Sequence, residues 1–383
     1  MKTPFVILAA GLLLVPTLSA QNVSERRLTT ADASFNHAFS AIRGVRELPD
    51  GRVLVSDGID EVLMAVDLRT AKADTIGRTG QGPGEYKTPD ALFPLPGGAT
   101  MLTDLGNGRI SIFGPDLKYR ESFSIAQGGL QNLVIALPRA VDREGRIYFQ
   151  QAGRPGPGGP PDSAAVVRWD RAGSVYDTVA MVKLPDMKVT SSGGSNNRNQ
   201  MMRPRPFPAQ DTWGVGLDGQ VSVVRARDYH VDVVLPGGRS ASGPAVNYSP
   251  VPIRRADKQE WVDAAADGIG IAVENRNGQM SMSFGRGMRM GDDDDAQIDA
   301  QEWPPSKPPF VAGAVWVVDG RTYVERSVPA GSPRQLDVFD GAGKLVSRVI
   351  LPKSRRVAGF GNGTIYLQRV DDNALQWLER YRM

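Results

Sequence analysis

The feature that most constrains the fold is a short unit that recurs six times along the 383-residue chain. Each copy places a glycine in a polar turn directly before a run of strand-forming residues, which is typical of a tight turn between two β-strands. The first copy reads Asp50-Gly51-Arg52-Val53-Leu54-Val55. The other five copies begin at Gly97, Glu144, Asp218, Asp319 and Asn362. The six copies predict six hairpins in an all-β protein.

The segments after the hairpins also repeat. A third strand ends in a second turn, as at Val66-Asp67, Phe113 to Asp116, Trp169 to Gly173 and Val338 to Gly343. A fourth strand then leads into the next unit, and four strands with alternating apolar residues make one propeller blade. We therefore predict an all-β fold, a six-bladed β-propeller with four-stranded blades, that spans residues 21–383.

The last copy leaves too few residues for a whole blade. Thr364 to Met383 has room for only two strands after the turn. The N-terminal segment Ser24 to Ser34 is predicted to supply the missing outer strand and so to close the last blade. Such closure removes a sheet edge that would otherwise be open to aggregation.

A resemblance to known proteins supports the same fold. Residues 80–117, "GQGPGEYKTPDALFPLPGGATMLTDLGNGRISIFGPDL", resemble an NHL-type repeat, although Tyr86 stands where that pattern has Phe and Leu117 replaces its last Gly. The chain also resembles bacterial six-bladed β-propeller proteins, many of them exported, that share the signature "GxxGxGPGEY". The resemblance implies the fold and leaves the activity open, because propellers host binding proteins and several unrelated enzymes.

The glycine-rich stretch "GRTGQGPGEY" at residues 77–86 raises the alternative of a phosphate-binding loop. Gly77 and Gly82 have the required spacing, but Pro83 and Gly84 stand where a P-loop needs Lys and Ser or Thr. The stretch is therefore predicted to connect the outer strand of one blade to the inner strand of the next.

The N-terminus has the pattern of a secretory signal peptide over residues 1–20. Lys2 precedes a short apolar run from Phe5 to Val15, and Leu18-Ser19-Ala20 resembles a cleavage site. Gln21 stands where a lipoprotein would have Cys. A periplasmic or extracellular protein without membrane insertion after cleavage is predicted.

The composition of the chain limits the classes of partner and cofactor that it can bind. The net charge is only +3, and no run of Lys or Arg exceeds two residues, so nucleic-acid binding is not predicted. The chain has no Cys and two His, which excludes disulfides and thiolate metal ligands and leaves only two imidazole groups for a zinc site. No cofactor is predicted.

Three segments depart from the repeat. "GRPGPGGPP" at residues 153–161 is predicted as a loop in blade 3, and Ser191 to Pro208 as a long linker to blade 4. The largest, residues 254–310, is predicted as a partly helical insertion between blades 4 and 5. Its start, Ala256 to Ala266, is predicted to be a helix with Trp261, Val262 and Ala265 on one face.

The insertion also contains Met280, Met282, Met288 and Met290, whose thioethers suit Cu(I), although methionine also fills gaps in a core. The run Asp292 to Asp295 lacks the ligand spacing of an EF-hand and is predicted to be a solvated loop.

Charged residues are predicted at the starts of several inner strands, near the mouth of the central channel. They are Arg43, Asp90, Arg139, Asp211 and Arg356, with Arg355 beside the last. One interpretation is a ring of paired, solvated loop residues. The other is a partly cationic mouth that binds a carboxylate or phosphate, since Arg binds these groups in a bidentate manner.

The leading functional hypothesis is an exported binding or interaction module that takes a protein or an acidic small molecule at the channel mouth. The alternative is a metal-dependent lactonase-like or esterase-like hydrolase. The resemblance to six-bladed propellers implies a divalent ion in the channel for that alternative, with Glu47 and Asp90 as partial ligands.

Overall fold

A computed structural model describes residues 23–127, 134–152, 161–192, 199–267, 269–276, 279–286 and 294–383. The predicted signal peptide, most of the predicted blade 3 loop, and Met288 and Met290 lie outside these residues. The described chain forms six blades, five of them antiparallel sheets of four strands and one with a fifth, parallel strand, which confirms the predicted six-bladed β-propeller.

The first three blades each run from an inner to an outer strand. Their strands are Ile42–Glu47, Val53–Asp57, Val62–Asp67 and Lys72–Thr75 in blade 1; Pro89–Pro94, Thr100–Asp104, Arg109–Phe113 and Tyr119–Ser124 in blade 2; and Ala140–Val141, Ile147–Ala152, Ser163–Asp170 and Val175–Lys183 in blade 3.

The other three blades have the same order. Their strands are Thr212–Val215, Val221–Arg225, His230–Val234 and Ser240–Ser242 in blade 4; Phe310–Val318, Arg321–Arg326, Gln335–Phe339 and Leu345–Ile350 in blade 5; and Arg355–Gly361, Thr364–Val370 and Gln376–Arg382 in blade 6, with Ala33–Ser34 outermost.

All six predicted turns join the inner strand of a blade to its second strand. The turn glycines Gly51, Gly98, Gly145, Gly219, Gly320 and Gly363 have φ between 62° and 84°, a region that residues with a Cβ seldom adopt. The glycine recurs because each hairpin turn requires a backbone conformation with positive φ at this position.

The N-terminal segment closes the propeller in two steps. Ala33–Ser34 pairs antiparallel with the third strand of blade 6, as predicted. Ser24–Arg27 instead pairs parallel with Leu345–Ile350 and becomes a fifth strand of blade 5. Leu28, the next residue, is buried in the core shared by blades 5 and 6, and this burial directs the segment across both blades.

The glycine-rich stretch connects blade 1 to blade 2, as predicted. Within it Arg78–Thr79 and Glu85–Tyr86 form a short parallel pair. The Glu85 carboxylate accepts a 2.7 Å hydrogen bond from the Gly82 amide, and the buried Tyr86 hydroxyl donates to the Ile76 carbonyl at 2.8 Å. Asn107 and Arg109 of blade 2 also donate hydrogen bonds to carbonyls of the loop, so side chains of the loop and of blade 2 together hold it.

The connection between blades 3 and 4 contains a β-hairpin, Met187–Ser192 with Asn199–Pro204, where the sequence predicted a plain linker. Alternating apolar and polar residues at Met187 to Thr190 carry the strand signal, which the polar, glycine-rich stretch after them obscured.

The insertion between blades 4 and 5 begins with helix α1, Arg255–Asp267, close to the predicted helix. A hairpin comes next, Ile269–Arg276 with Gln279–Arg286, which was not predicted and carries Met280 and Met282. Helix α2 spans Asp294–Asp299, so the end of the acidic run opens a helix, not a loop. Acidic residues favour a helix N-terminus because they interact with its positive dipole end.

Val251–Pro252 and Ser306–Lys307 pair at the base of the insertion and bring its two ends together on the propeller. Neither α1 nor α2, nor any other helix in the described ranges, has the length and apolar character of a membrane span.

Candidate functional site at the channel mouth

The predicted ring residues all lie at the starts of inner strands. Arg43, Asp90 and Arg356 are among the first two residues of theirs. Arg139 and Asp211 immediately precede theirs. Because the inner strands of a propeller run in the same direction along the channel, these starts share one face of the molecule. We call this face the mouth.

Arg43 and Asp90 interact across blades 1 and 2. Burial raises the pKa of the half-buried Asp90 carboxyl, and the positive charge of Arg43 only partly offsets that rise. The two residues lie at the starts of adjacent inner strands.

Arg139 reaches from blade 3 across blade 4 towards blade 5. Its guanidinium lies 4.9 Å from the centre of the Trp213 ring, a cation–π distance. A Cβ built on Gly313 of blade 5 would lie 3.7 Å from an Arg139 Nη atom. Solvent reaches the Arg139 side chain, but protein atoms surround most of it. The resulting loss of solvation lowers the pKa of Arg139. No carboxylate pairs with it within the described ranges.

Asp211 and Arg355 form hydrogen bonds and ion pairs with residues outside the predicted ring. Asp211 accepts hydrogen bonds from the Arg225 guanidinium at 2.8 Å and from the backbone amides of Lys183 and Ala226, which ties blade 3 to blade 4. Arg355 forms a two-pronged ion pair with Glu379 on the third strand of its own blade. Of the two neighbouring arginines, Arg356 is the one that lines a cavity at the mouth.

This cavity, of about 530 Å³, lies above blade 5. Its walls come from the blade 3–4 connection, from helix α1 and from the second–third strand loop of blade 5. Its floor includes Phe310, Val311 and Ala312 at the start of the blade 5 inner strand, with Arg356 from blade 6. The insertion thus adds a wall to one sector of the mouth and leaves the cavity partly open to solvent.

Helix α1 presents one face to the cavity. Asp257, Glu260, Trp261 and Ala264 line it, and their spacing of three and four residues places them on one side of a helix. The predicted common face of Trp261, Val262 and Ala265 is not observed, because Val262, on the adjoining side, is buried and Ala265 is exposed.

An ion pair between Asp257 and Lys307 attaches α1 to the propeller. The two groups lie 2.7 Å apart, and their side chains are 2% and 7% exposed. Asp257 also accepts from the backbone amides of Arg254 at 2.9 Å and Ala330 at 2.8 Å, so it caps the helix and binds the blade 5 loop. Burial alone would raise the pKa of Asp257, but these partners outweigh it and hold the pKa below its ordinary value.

A second set of charges continues along the same wall. Arg334 pairs with Glu260 on α1 at 3.2 Å and with the buried Glu325 on blade 5. At the outer side, Glu302 pairs with Arg205 at 2.7 Å and Lys188 at 3.0 Å. The hydrogen bond from Lys188 and the two nearby positive charges lower the pKa of Glu302.

Aromatic side chains form a further part of the lining. Phe207 and Trp261 face the cavity, and Trp303 packs behind both, with ring centres 6.0 Å and 5.5 Å away. The Trp303 indole N–H donates to the Ile298 carbonyl at 2.8 Å, which fixes its orientation. The helix pattern had identified Trp261, but nothing in the sequence linked it to Phe207 or Trp303.

The divalent ion that the hydrolase alternative requires has no ligand set among the described residues. Glu47 lies at the end of its inner strand, whereas Asp90 lies at the start of the next. Glu47 also accepts hydrogen bonds from the Tyr366 and Thr364 hydroxyls of blade 6. No group of three or more His, Asp or Glu side chains in the described ranges is placed to hold a metal.

No protein-family model matches the chain, and no curated protein matches its sequence. The NHL-type repeat assignment therefore stays a prediction.

Solved structures with a similar fold include regucalcin from Agrobacterium tumefaciens, with 9% identity over 93% of this chain and 95% of that chain, and a TM-score of 0.38. A gluconolactonase from Xanthomonas campestris has 12% identity over 93% and 94%, with a TM-score of 0.40. The aldose sugar dehydrogenase from Streptomyces coelicolor has 12% identity over 92% and 97%, with a TM-score of 0.41. These values are too low to transfer any property of those proteins to this chain.

Proposed function

We propose that the protein is an exported β-propeller that binds an anionic ligand, or an acidic group of a protein partner, at the mouth of its channel. The observation that carries the proposal is that Arg139 of blade 3 lies beside Gly313 of the blade 5 inner strand, while Arg356 of blade 6 lines the cavity that also includes Phe310 to Ala312 of that strand. Export rests on the N-terminal sequence alone.

Two features support binding over a purely structural role. Arg139 stacks on Trp213 and has no carboxylate partner among the described side chains. The adjacent cavity has a volume within the usual range for small-molecule sites. A guanidinium held by a ring retains its hydrogen-bond donors for an incoming carboxylate or phosphate.

The test is calorimetric titration of a panel of acidic sugars, peptides and phosphates against the wild-type protein and Arg139→Ala. Loss of a hydrogen bond to a charged group is expected to weaken binding by about 1.5–3 kcal/mol. Binding should also weaken with added salt, because exposed charges are screened beyond about 8–10 Å.

Arg69→Ala is the matched control. Arg69 is an exposed arginine just after the third strand of blade 1, at the opposite face, where it pairs with Asp67. Its loss should leave every affinity unchanged. Equal affinities for wild type and Arg139→Ala across the panel, or no acidic compound bound at all, would refute the proposal.

A further inference from the structure

The acidic side chains that line the cavity above blade 5 are each paired with a cation of the same lining. Asp257 pairs with Lys307 at 2.7 Å, and both side chains are buried. Glu260 and Glu325 share Arg334. A cationic ligand would have to displace one of these partners, and a buried charge that loses its partner is left uncompensated.

The other basic side chains of the lining have partners as well. Arg205 pairs with Glu302 at 2.7 Å, and Arg326 lies 3.4 Å from the buried Asp337. Arg356 also interacts with neighbouring groups. An anionic ligand would therefore compete with an existing partner for each of these cations. The described part of the lining thus favours a ligand without charge.

Much of the surface that remains for a ligand is apolar. Phe207 and Trp261 face the cavity, and Trp303 packs behind both, so their rings are held in place before a ligand arrives. Val311, on the floor, stays 36% exposed. Four prolines also line the cavity and restrict the backbone around it: Pro185, Pro208, Pro308 and Pro329. A ligand that removes this surface from water gains free energy with the area it buries.

The lining offers few polar side chains outside the ion pairs. Among the described lining residues, the uncharged polar side chains are Gln210, Ser327 and Ser332. A ligand with many hydroxyl groups would lose more hydrogen bonds to water than these side chains replace, and each loss opposes binding. A sugar is therefore disfavoured, and a compound with few polar groups is favoured.

We propose that this cavity binds an uncharged, flat ring compound with few polar groups, which packs against Phe207 and Trp261. Fixed aromatic faces favour flat rings, which stack or pack edge-to-face on them. The inference goes beyond the proposed function and does not rest on it, because Arg139, which carries that function, is not among the described residues that line the cavity.

The probe is phenylnaphthylamine, an uncharged aromatic compound whose fluorescence rises in apolar sites. Ala264 is exposed on the cavity side of helix α1, so Ala264→Trp should fill part of the cavity. The affinity should fall by about tenfold or more, because overfilling of a packed site is unfavourable. Ala265→Trp is the matched control, since Ala265 is the next residue of α1 and is also exposed, but lies outside the lining. This variant should leave the titration unchanged.

Two further titrations test the ring contact and the charge. Trp261→Ala should weaken phenylnaphthylamine by about two- to tenfold, the range for loss of an aromatic pair. Trp261→Phe, which keeps a ring, should retain most of the affinity and keeps the test valid if the first variant loosens α1. Anilinonaphthalene sulfonate has the same rings with a sulfonate added. It should bind the cavity no more tightly than the neutral compound, because the lining cations already have partners.

Four outcomes would overturn the inference: no binding of phenylnaphthylamine, no loss of its binding in Ala264→Trp, an equal loss in Ala264→Trp and Ala265→Trp, or tighter binding of the sulfonate that Ala264→Trp abolishes. Arg139→Ala should leave the phenylnaphthylamine titration unchanged. The proposed function is tested by the acidic panel and its dependence on Arg139, so each proposal fails or stands on its own titrations.

Discussion

Replacing Asp257 by Ala should detach helix α1 from the propeller. The substitution leaves the Lys307 ammonium buried without its 2.7 Å partner and removes the acceptor of the Arg254 and Ala330 amides. Breaking a buried ion pair by removing one partner costs about 3–5 kcal/mol. Lys307 retains a 2.9 Å hydrogen bond to the Val328 carbonyl and lies 3.9 Å from Glu260, so the lower end of that range, about 3 kcal/mol, is expected.

That free energy converts into a measurable shift of the melting temperature. At about 2.1 cal/mol/K per residue, the unfolding entropy of a chain of this length is about 0.8 kcal/mol/K, so about 3 kcal/mol lowers Tm by about 4 °C. Scanning calorimetry gives the shift. Hydrogen exchange of the α1 amides, measured by mass spectrometry, reports loosening of the helix even if the blades unfold separately.

Arg255→Ala is the control on the same helix. Arg255 pairs with Asp295, but their side chains are 67% and 65% exposed, so the pair contributes about 0–1 kcal/mol. The expected change in Tm is about 1 °C or less. If Asp257→Ala and Arg255→Ala gave the same small shift and the same exchange rates, Asp257 would not be the residue that holds the insertion.

The propeller could be predicted from sequence because its signals are local. Each hairpin needs a turn residue with positive φ. The six turn glycines meet this requirement and stand at equivalent positions of the repeat, where an alignment of the copies finds them. The closing strand could be inferred from a shortage of residues in the last blade. The pairing of the neighbouring strand Ser24–Arg27 could not be inferred. This strand pairs parallel with blade 5, and no turn in the sequence indicates a parallel pairing.

The strand starts were also predictable, but the directions of their side chains were not. Successive residues on a strand point to opposite sides, so Arg355 turns to Glu379 while Arg356 lines the cavity. One residue of register decides between the two, and counting back from a glycine does not fix it. Asp211 was placed correctly on the chain, but its carboxylate is taken by Arg225 and two amides.

The cavity could not be predicted because its parts come from distant, non-repeating segments. Asp257 and Lys307 lie at the two ends of the insertion, and Phe207 belongs to the blade 3–4 connection. A repeated blade offers six equivalent sectors at the mouth. The insertion distinguishes one of them, which is why the cavity lies above blade 5.

Further predictions concern closure, close packing and pH. Deleting Ser24 to Ser34 should expose the outer edges of blades 5 and 6, and so lower Tm and increase light scattering; an unchanged Tm would contradict the observed pairing. Gly343→Ala should destabilise far more than Gly320→Ala in urea unfolding. Both have φ near 70–75°, but a Cβ on Gly343 would lie 2.3 Å from the Val231 carbonyl oxygen, whereas one on Gly320 meets open space. The last prediction derives from the lowered pKa of Asp257. In the unfolded chain this carboxyl has its ordinary pKa, about 3.9, so the ionised group stabilises the fold above that pH, and its contribution is lost as the pH falls through the lower folded value. The Tm difference between wild type and Asp257→Asn should therefore be constant from about pH 7 to pH 5 and shrink below about pH 4. Calorimetry across that range checks it, and a difference that persisted or grew in acid would show that the Asp257 carboxylate does not stabilise the fold through its ionised form.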